Sequence, residues 1–350
     1  MSFRLLPKSA FPAWVQHVRR DHRVLAPVPH NGAHRFAEIE AAEQVDMDYR
    51  TTILPPKKAM LPVRESLLRF GTDGGLLEAA SQSGPTAILG VHTCDLHAIQ
   101  LLDKVYSQGF ADQAYQARRA GTVLVGLECL SPCSEHSFCK SMGTLSCPEQ
   151  FDLHLTDLGE SYALDVGSEQ GAELLIGFEG LLEPQPEDYQ RADEVMNEKW
   201  SRFTYRLEFE AAELPSLMGV SAQSDLWEQL AERCLGCGSC NLVCPTCTCF
   251  DVVDEVDLGL KSGERYRTWD SCQLALFATV AGGHNFRAGQ AARLRHRFMR
   301  KGKYQFEATG SAGCVGCGRC AQACLVHITP VDTWNELHRR QTQMAQESSA

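Results

Sequence analysis

The sequence lacks the features of membrane, exported and nucleic-acid-binding proteins. No apolar run among its 350 residues approaches the roughly 20 residues that span a bilayer. The first ten residues include Arg4 and Lys8 and no uninterrupted apolar stretch, so we predict no signal peptide. Lys and Arg number 33 against 44 Asp and Glu, a net charge of −11, whereas phosphate binding requires excess positive charge. We therefore expect a cytoplasmic protein with no membrane span and no nucleic-acid partner.

Two nucleotide-binding motifs are also absent. No Gly-x-Gly-x-x-Gly follows a predicted strand, and the chain contains no Walker A sequence. We therefore predict no flavin or nicotinamide site in this chain, assign no catalytic residue, and expect the chain to be inactive alone. Hydrophobic residues at 44% and charged residues at 22% are ordinary values for a globular protein. The length suggests about two domains.

Cysteine, in contrast, is abundant, with 16 residues. In a long chain without an export signal, so many thiols indicate metal binding rather than a disulfide framework. The cysteines fall into three groups along the chain. These are Cys94, Cys129, Cys133, Cys139 and Cys147; then Cys234, Cys237, Cys240, Cys244, Cys247, Cys249 and Cys272; then Cys314, Cys317, Cys320 and Cys324.

The N-terminal half predicts an α/β domain. Short apolar runs bounded by glycine at 86–91 and 122–127 are typical of buried strands, and the segment 95–106 has helical periodicity. The order strand, helix, strand favours a parallel pair. Because sites of parallel sheets lie at the carboxyl ends of their strands, Cys94 and Cys129, which follow the two runs, are expected to lie close together.

Two cysteine runs share one spacing. They are Cys234-x2-Cys237-x2-Cys240-x3-Cys244-Pro245 and Cys314-x2-Cys317-x2-Cys320-x3-Cys324. This is the bacterial ferredoxin motif for [4Fe–4S] clusters, in which the fourth cysteine of each run ligates the other cluster. Zinc sites, in contrast, pair cysteines two and two. The runs therefore predict two clusters: site 1 with Cys234, Cys237, Cys240 and Cys324, and site 2 with Cys314, Cys317, Cys320 and Cys244.

Further thiols allow a third cluster. Four of them follow or adjoin the two predicted strands and form site 3, which comprises Cys94, Cys129, Cys133 and Cys139. Four is the number of thiolates that a cubane needs, but buried structural thiols are an equal alternative. A second candidate set, the thiol trio, comprises Cys247, Cys249 and Cys272. The trio is the weaker candidate because no fourth ligand is visible.

This pattern divides the chain into four parts. Residues 1–195 form an α/β domain that is a candidate for the extra cluster, and 196–224 form a connector. Residues 225–335 form an α-rich, ferredoxin-like dicluster domain with a long insertion, and 336–350 form a helix end and tail.

A basic stretch at 287–303 has three alternative interpretations. It contains seven basic residues: Arg287, Arg293, Arg295, Arg297, Arg300, Lys301 and Lys303. The stretch is a solvated helix face, a counter-charge for anionic clusters, or a docking surface for an acidic partner.

Motifs across nearly the whole chain resemble one family. They include GVHTCDLHA at 90–98, YQARR at 115–119, FCKSMG at 138–143, FDLHLTDL at 151–158, CPTCTCF at 244–250, WDSC at 269–272, AGGHNFR at 281–287 and RLRHR at 293–297. Together they resemble the iron–sulfur β subunit of cytoplasmic NiFe hydrogenases of the sulfhydrogenase type, and the related iron–sulfur subunit of anaerobic sulfite reductase. The resemblance implies an electron relay between a flavin subunit that uses NAD(P)H and a catalytic NiFe or sirohaem subunit.

Two positions depart from the family pattern. The family often has Cys-Phe-Cys where this chain has Ser137-Phe138-Cys139, with Cys133 as the substitute, and Leu325 stands where proline is usual. We interpret the chain first as a hydrogenase-type electron-transfer subunit. The alternatives are a sulfite reductase relay and an iron–sulfur redox sensor, and two adjacent clusters suit conduction better than sensing.

Overall fold

The computed structural model describes residues 3–71, 78–79 and 84–349. Its strands are β1 (Arg4–Pro7), β2 (Arg23–His30), β3 (Ala33–Glu38), β4 (Arg64–Gly71), β5 (Glu78–Ala79), β6 (Thr86–His92), β7 (Thr122–Leu127), β8 (Leu153–Asp157), β9 (Ser161–Val166), β10 (Phe250–Val256) and β11 (Ser262–Trp269). Its helices are α1 (Phe11–Val18), α2 (Thr93–Ser107), α3 (Gln113–Ala120), α4 (Glu169–Glu173), α5 (Pro186–Arg202), α6 (Leu214–Val220), α7 (Leu226–Arg233), α8 (Ser239–Leu242), α9 (Gln290–Met299), α10 (Gln305–Thr309), α11 (Arg319–Gln322) and α12 (Pro330–Ser349).

The N-terminal region is built on a seven-stranded sheet with the order β1-β9-β8-β7-β6-β2-β3. The central strands β2, β6, β7 and β8 pair in parallel, and the outer pairs are antiparallel. Every residue of β6 and β7 is buried, as expected for strands covered on both faces. The predicted strands at 86–91 and 122–127, their parallel pairing and the helix between them are confirmed. The sheet therefore brings the carboxyl ends of β6 and β7 side by side.

A second sheet joins distant parts of the chain, with the order β10-β11-β4-β5. The hairpin β10–β11 lies in the insertion between the two cysteine runs, and β11 pairs antiparallel with β4 of the N-terminal region. The expectation of an α-rich C-terminal region is therefore incomplete, because its insertion also contributes strands. β10 is largely exposed and β11 is mostly half-buried, and neither strand carries a clear apolar signal in the sequence.

The C-terminal helices enclose a second apolar core. Trp227 of α7, Phe298 of α9 and Trp334 of α12 are almost fully buried in it. One π-helical turn, Arg300–Tyr304, connects α9 to α10, so that the chain stays helical from Gln290 to Thr309. None of the helices in the described ranges is long and apolar enough to cross a membrane.

Candidate metal centres

The two cysteine runs adopt the same local structure. Gly236 and Gly238 in the first run, and Gly316 and Gly318 in the second, all have positive φ between 61° and 78°, a conformation that glycine adopts without strain. A short helix follows each pair, α8 in the first run and α11 in the second, and the two helices pack against each other. The duplicated sequence therefore forms a duplicated structure whose halves face one another.

Site 2 lines one cavity. Its four thiols, from Cys244, Cys314, Cys317 and Cys320, border one cavity together with the apolar side chains of Phe138, Val315, Phe298 and Trp334. Cys314 interacts electrostatically with the other three thiols. The structure thus places the Cys244 thiol of the first run beside three thiols of the second run.

The residues around this cavity fit an iron–sulfur cluster. Burial raises the pKa of Cys317 to about 12, so that a bound cation is needed to hold the thiolate form. In the described part of the chain, no three His, Cys, Asp or Glu side chains meet closely enough to hold a single metal ion. The Gly316 backbone approaches the loop before the cavity so closely that a Cβ atom there would lie 2.6 Å from the Cys139 backbone. Four thiols around one largely apolar cavity fit a group that takes four thiolate ligands.

Site 1 lies closer to the surface. Cys234 directly follows α7, and Cys240 interacts electrostatically with Cys234 and with Cys320 of site 2. The Cys324 Sγ atom accepts a hydrogen bond from the Ile328 backbone N–H at 3.3 Å. Cys237 is exposed, unlike the other cysteines of the described residues, which are buried or partly buried. Site 1 is therefore the more solvent-accessible of the two ferredoxin-type sites.

The four thiols of site 3 are also brought together. Cys94, at the start of α2, shares a small buried cluster with Cys129 and Cys139. The Cys133 thiol is hydrogen-bonded to Cys129 and lies 3.6 Å from His92 Nδ1. The Ser137 hydroxyl instead accepts a hydrogen bond from the Ser134 N–H. Cys133, rather than Ser137, is therefore the residue in contact with Cys129.

Site 3 adjoins site 2. Val315 belongs to the buried cluster that contains Cys94, Cys129 and Cys139, and Cys317 packs against this cluster. The Phe138 N–H also donates to the Gly316 carbonyl at 2.8 Å. The second cysteine run is thus attached directly to the loop that carries part of site 3.

The thiol trio does not gather around one point. Cys247 is hydrogen-bonded to Cys244 of site 2, whereas Cys249 is hydrogen-bonded to Cys272. This contact with Cys249 and a hydrogen bond from Asn241 Nδ2, 3.0 Å from the Cys272 Sγ atom, lower the pKa of Cys272 to about 6. Cys147 lies apart from these sets, where its thiol donates to the Glu149 carbonyl at 2.8 Å.

The basic stretch is divided between surface and interior. Arg293, Arg297 and Lys301, spaced four residues apart, are buried, whereas Arg300 is exposed. Arg287, Arg295 and Lys303 are partly exposed. A solvated helix face is therefore the wrong description of the three buried cations. Arg297 and Lys301 line the cavity of site 2.

Sequence reasoning missed two buried contacts near the thiols. Lys57 Nζ donates to the carbonyls of Cys244 and Cys247, at 2.7 and 2.6 Å. Arg319 forms a two-pronged ion pair with Asp95, at 2.7 and 2.6 Å, which joins the second run to α2. Asp95 and Arg319 could have been identified from the sequence, because each is adjacent to a candidate ligand, Cys94 and Cys320 respectively. Lys57 could not, because no cysteine lies near it in the sequence.

Comparison with known proteins agrees with this arrangement. A family model described as a 4Fe-4S dicluster domain matches residues 233–328, the segment that holds both runs. The chain is 34% identical to sulfhydrogenase 2 subunit beta of Pyrococcus furiosus over 337 residues, which cover 96% of this chain and 98% of that protein. No solved structure matches. With its two ferredoxin-type runs and this match over almost its full length, the chain belongs to the sulfhydrogenase β-subunit family of iron–sulfur proteins.

Proposed function

We propose that this iron–sulfur electron-transfer subunit relays electrons between a flavin subunit that uses NAD(P)H and the catalytic subunit of a NiFe hydrogenase complex. We further propose that it holds three [4Fe–4S] clusters, at sites 1, 2 and 3. Each cluster would supply one-electron transfer. The resemblance in sequence supports the hydrogenase assignment, and the name of the Pyrococcus protein is consistent with it.

The contiguity of the three thiol sets carries this proposal. Cys240 of site 1 interacts with Cys320 of site 2, and Cys317 of site 2 packs against the thiols of site 3. Clusters at the three sites would therefore form a row, with exposed Cys237 at one end. Such a row suits conduction between two partners.

The surrounding protein supports the same role by excluding water. Phe138, Val315, Phe298 and Trp334 cover the cavity of site 2. The buried cluster of Leu145 and Phe203 covers site 3. Apolar walls of this kind control solvent access and local dielectric, and therefore the reduction potential of an iron–sulfur cluster.

The test is anaerobic purification of the full-length tagged chain, co-expressed with the genes beside its own. We expect a complex that contains a flavin and nickel, and in which NAD(P)H and hydrogen each bleach the visible absorbance of the clusters. A complex with sirohaem and no nickel would replace this proposal with the sulfite reductase relay. Clusters that neither donor reduces within an intact complex would contradict a relay of any kind.

The isolated chain provides a second test. Because it carries no dinucleotide motif, the purified chain is expected to bind no flavin and to leave NAD(P)H unoxidised until partners are added. Stoichiometric flavin in the isolated chain would show that part of the donor site lies within it.

A further inference from the structure

Buried cations in this protein belong to two classes. Lys199, Arg267 and Arg319 are buried and each forms an ion pair with a carboxylate, from Glu128, Glu65 and Asp95 respectively. Four other buried cations have no carboxylate within ion-pair distance among the described residues: Lys57, Arg293, Arg297 and Lys301. All four lie in the region of the cysteine runs. Charge buried without an opposite charge is strongly unfavourable, so each of the four needs either several polar contacts or another counter-charge.

Two of the four have several contacts with the backbone, although Lys57 also interacts with the thiols of Cys247 and Cys244. Arg293 donates to the backbone carbonyls of Gln273, Arg287 and Ala288 and so holds the loop before α9. Lys57 donates to two backbone carbonyls and lies over the ring of Trp269, 4.5 Å from its centroid. Both side chains therefore stabilise the backbone through hydrogen bonds to its carbonyl groups.

Arg297 and Lys301 are satisfied differently. Arg297 Nε donates to the Asn241 side chain at 3.2 Å, and Lys301 Nζ donates to the Thr246 hydroxyl at 2.7 Å. One hydrogen bond to a neutral group leaves most of the charge of each side chain uncompensated. Both side chains line the four-thiol cavity, so the thiols are the nearest source of negative charge.

The two cations share some thiols and differ in others. Both interact with Cys244 of site 2 and with Cys247. Arg297 also interacts with Cys240 of site 1 and Cys320 of site 2, whereas Lys301 also interacts with Cys314 of site 2. Burial opposes the charge of Lys301, yet the thiolates of Cys244 and Cys247 raise its pKa above the usual value. Arg297 thus lies between the two sites, and Lys301 beside site 2 alone.

We propose that Arg297 and Lys301 are the counter-charges of the cluster at site 2 and raise its reduction potential, with Arg297 acting on site 1 as well. A reduced cluster carries one more negative charge than an oxidised one, so a fixed cation in a low-dielectric interior stabilises the reduced form more. This inference rests on the proposed ligation of sites 1 and 2. Arg297 and Lys301 would supply positive charge beside the cluster, and neither side chain would contact a substrate.

The experiment is a redox titration of the anaerobically purified complex, followed by electron paramagnetic resonance, for the wild type, Lys301→Gln and Arg297→Gln. We expect Lys301→Gln to lower the midpoint of one cluster by at least a tenfold change in the reduction equilibrium, about 59 mV for one electron. Arg297→Gln is expected to lower the midpoints of two clusters. The matched control is Arg295→Gln on the same helix, whose partly exposed side chain donates to the Ala222 carbonyl; its midpoints should equal those of the wild type.

The conservative variants Lys301→Arg and Arg297→Lys separate charge from packing. If the charge determines the effect, these two variants should keep their full iron content. Their midpoints should differ from the wild type by less than half of the shift that the glutamine variants show. Unchanged midpoints in the glutamine variants at full iron content would overturn the proposal, as would iron loss in the charge-conserving variants. A wild type without two separate cluster signals would instead contradict the proposed ligation. Because the cations are buried, the midpoint shifts should persist at high salt, whereas an effect confined to partner binding would weaken.

Discussion

The seven-stranded sheet and the region of the cysteine runs fill their interiors in different ways. The sheet encloses a continuous apolar core that includes Trp14, Ile88 and Leu124, and among the described residues Cys147 is its one thiol. The core around Trp227, Phe298 and Trp334 is smaller, and the thiols of Cys234, Cys314 and Cys324 pack against it. Apolar burial needs no cofactor, whereas thiols that surround a cavity gain their stability from the metal they bind. The first region is therefore expected to fold without iron, and the second to depend on it.

Buried charge shows the same contrast. Where the two regions meet, cations are matched by carboxylates, as in the pair of Arg319 with Asp95 and the contacts of Arg267 with Glu65 and Asp112. At the thiols, Arg297 and Lys301 have no such partner among the described residues. A buried cation that is paired with a carboxylate is stabilised whether or not a cluster is bound. A buried cation without a carboxylate partner depends on the cluster for its counter-charge.

Iron removal is the strongest way to test the contrast. Anaerobic chelation should abolish amide protection in α8 and α11 and in the loops that flank them, because there metal binding provides folding free energy. Protection in β6 and β7 should persist, because their burial is apolar. Hydrogen exchange followed by mass spectrometry measures both, with the iron-loaded protein as the control. Equal loss in both regions would show that the sheet also depends on iron.

The ion pair that joins the regions offers a second test. Asp95→Asn keeps the shape of the side chain but leaves the buried Arg319 guanidinium without a charged partner, a change that typically costs about 3–5 kcal/mol. Denaturant unfolding of the iron-loaded protein measures the loss. Asp254→Asn is the control, because the Asp254–Arg265 pair on the hairpin is exposed and exposed pairs contribute little. Equal stability of the two variants would contradict the buried pairing.

The cysteines themselves give a smaller, local effect. With clusters at all three sites the protein holds about twelve irons, since each cubane contains four. Cys139→Ser should reduce this to about eight and leave the sheet folded, because Cys139 lies outside the main apolar core. Cys147→Ser, the control, should retain all of the iron. Iron analysis decides the outcome, and twelve irons in Cys139→Ser would remove Cys139 from the ligands of site 3. Loss of four irons in Cys249→Ser would assign the ligand role to the thiol trio instead.

The smallest effect compares equivalent positions of the two runs. Pro245 follows Cys244 and is buried, whereas Leu325 follows Cys324 and is 77% exposed. Leu325→Pro should therefore change the stability by no more than about 0.5 kcal/mol, as for most surface substitutions, and leave the iron content unchanged. Pro245→Leu must fit a larger side chain into a packed site and should destabilise more. Thermal unfolding compares the two, and the reverse order would show that the turn after Cys324 is constrained.

Much of the fold and of the candidate sites could be predicted because the signals are local. The apolar runs of β6 and β7 and the helical period of α2 depend on neighbouring residues only, and their parallel pairing follows from the connection. Cys94 and Cys129 come together for the same reason. The hairpin β10–β11 was not predicted, since its strands carry little apolar patterning and their partner β4 lies about 200 residues away in the sequence.

The sequence by itself determined the cluster type and the crossed ligand sets of sites 1 and 2 as predictions, because the spacing within one short loop decides which thiols can reach one cubane. It left open whether the basic stretch faces water, a partner or the thiols. Only the tertiary structure decided this, because a helix presents its residues in fixed order but its rotation depends on the helices packed against it. The packing of α9 against α7 turns Arg297 inward, and Lys301 in the following π-helical turn points to the same cavity. Their low-dielectric surroundings are what make two ordinary basic residues candidates for setting a reduction potential.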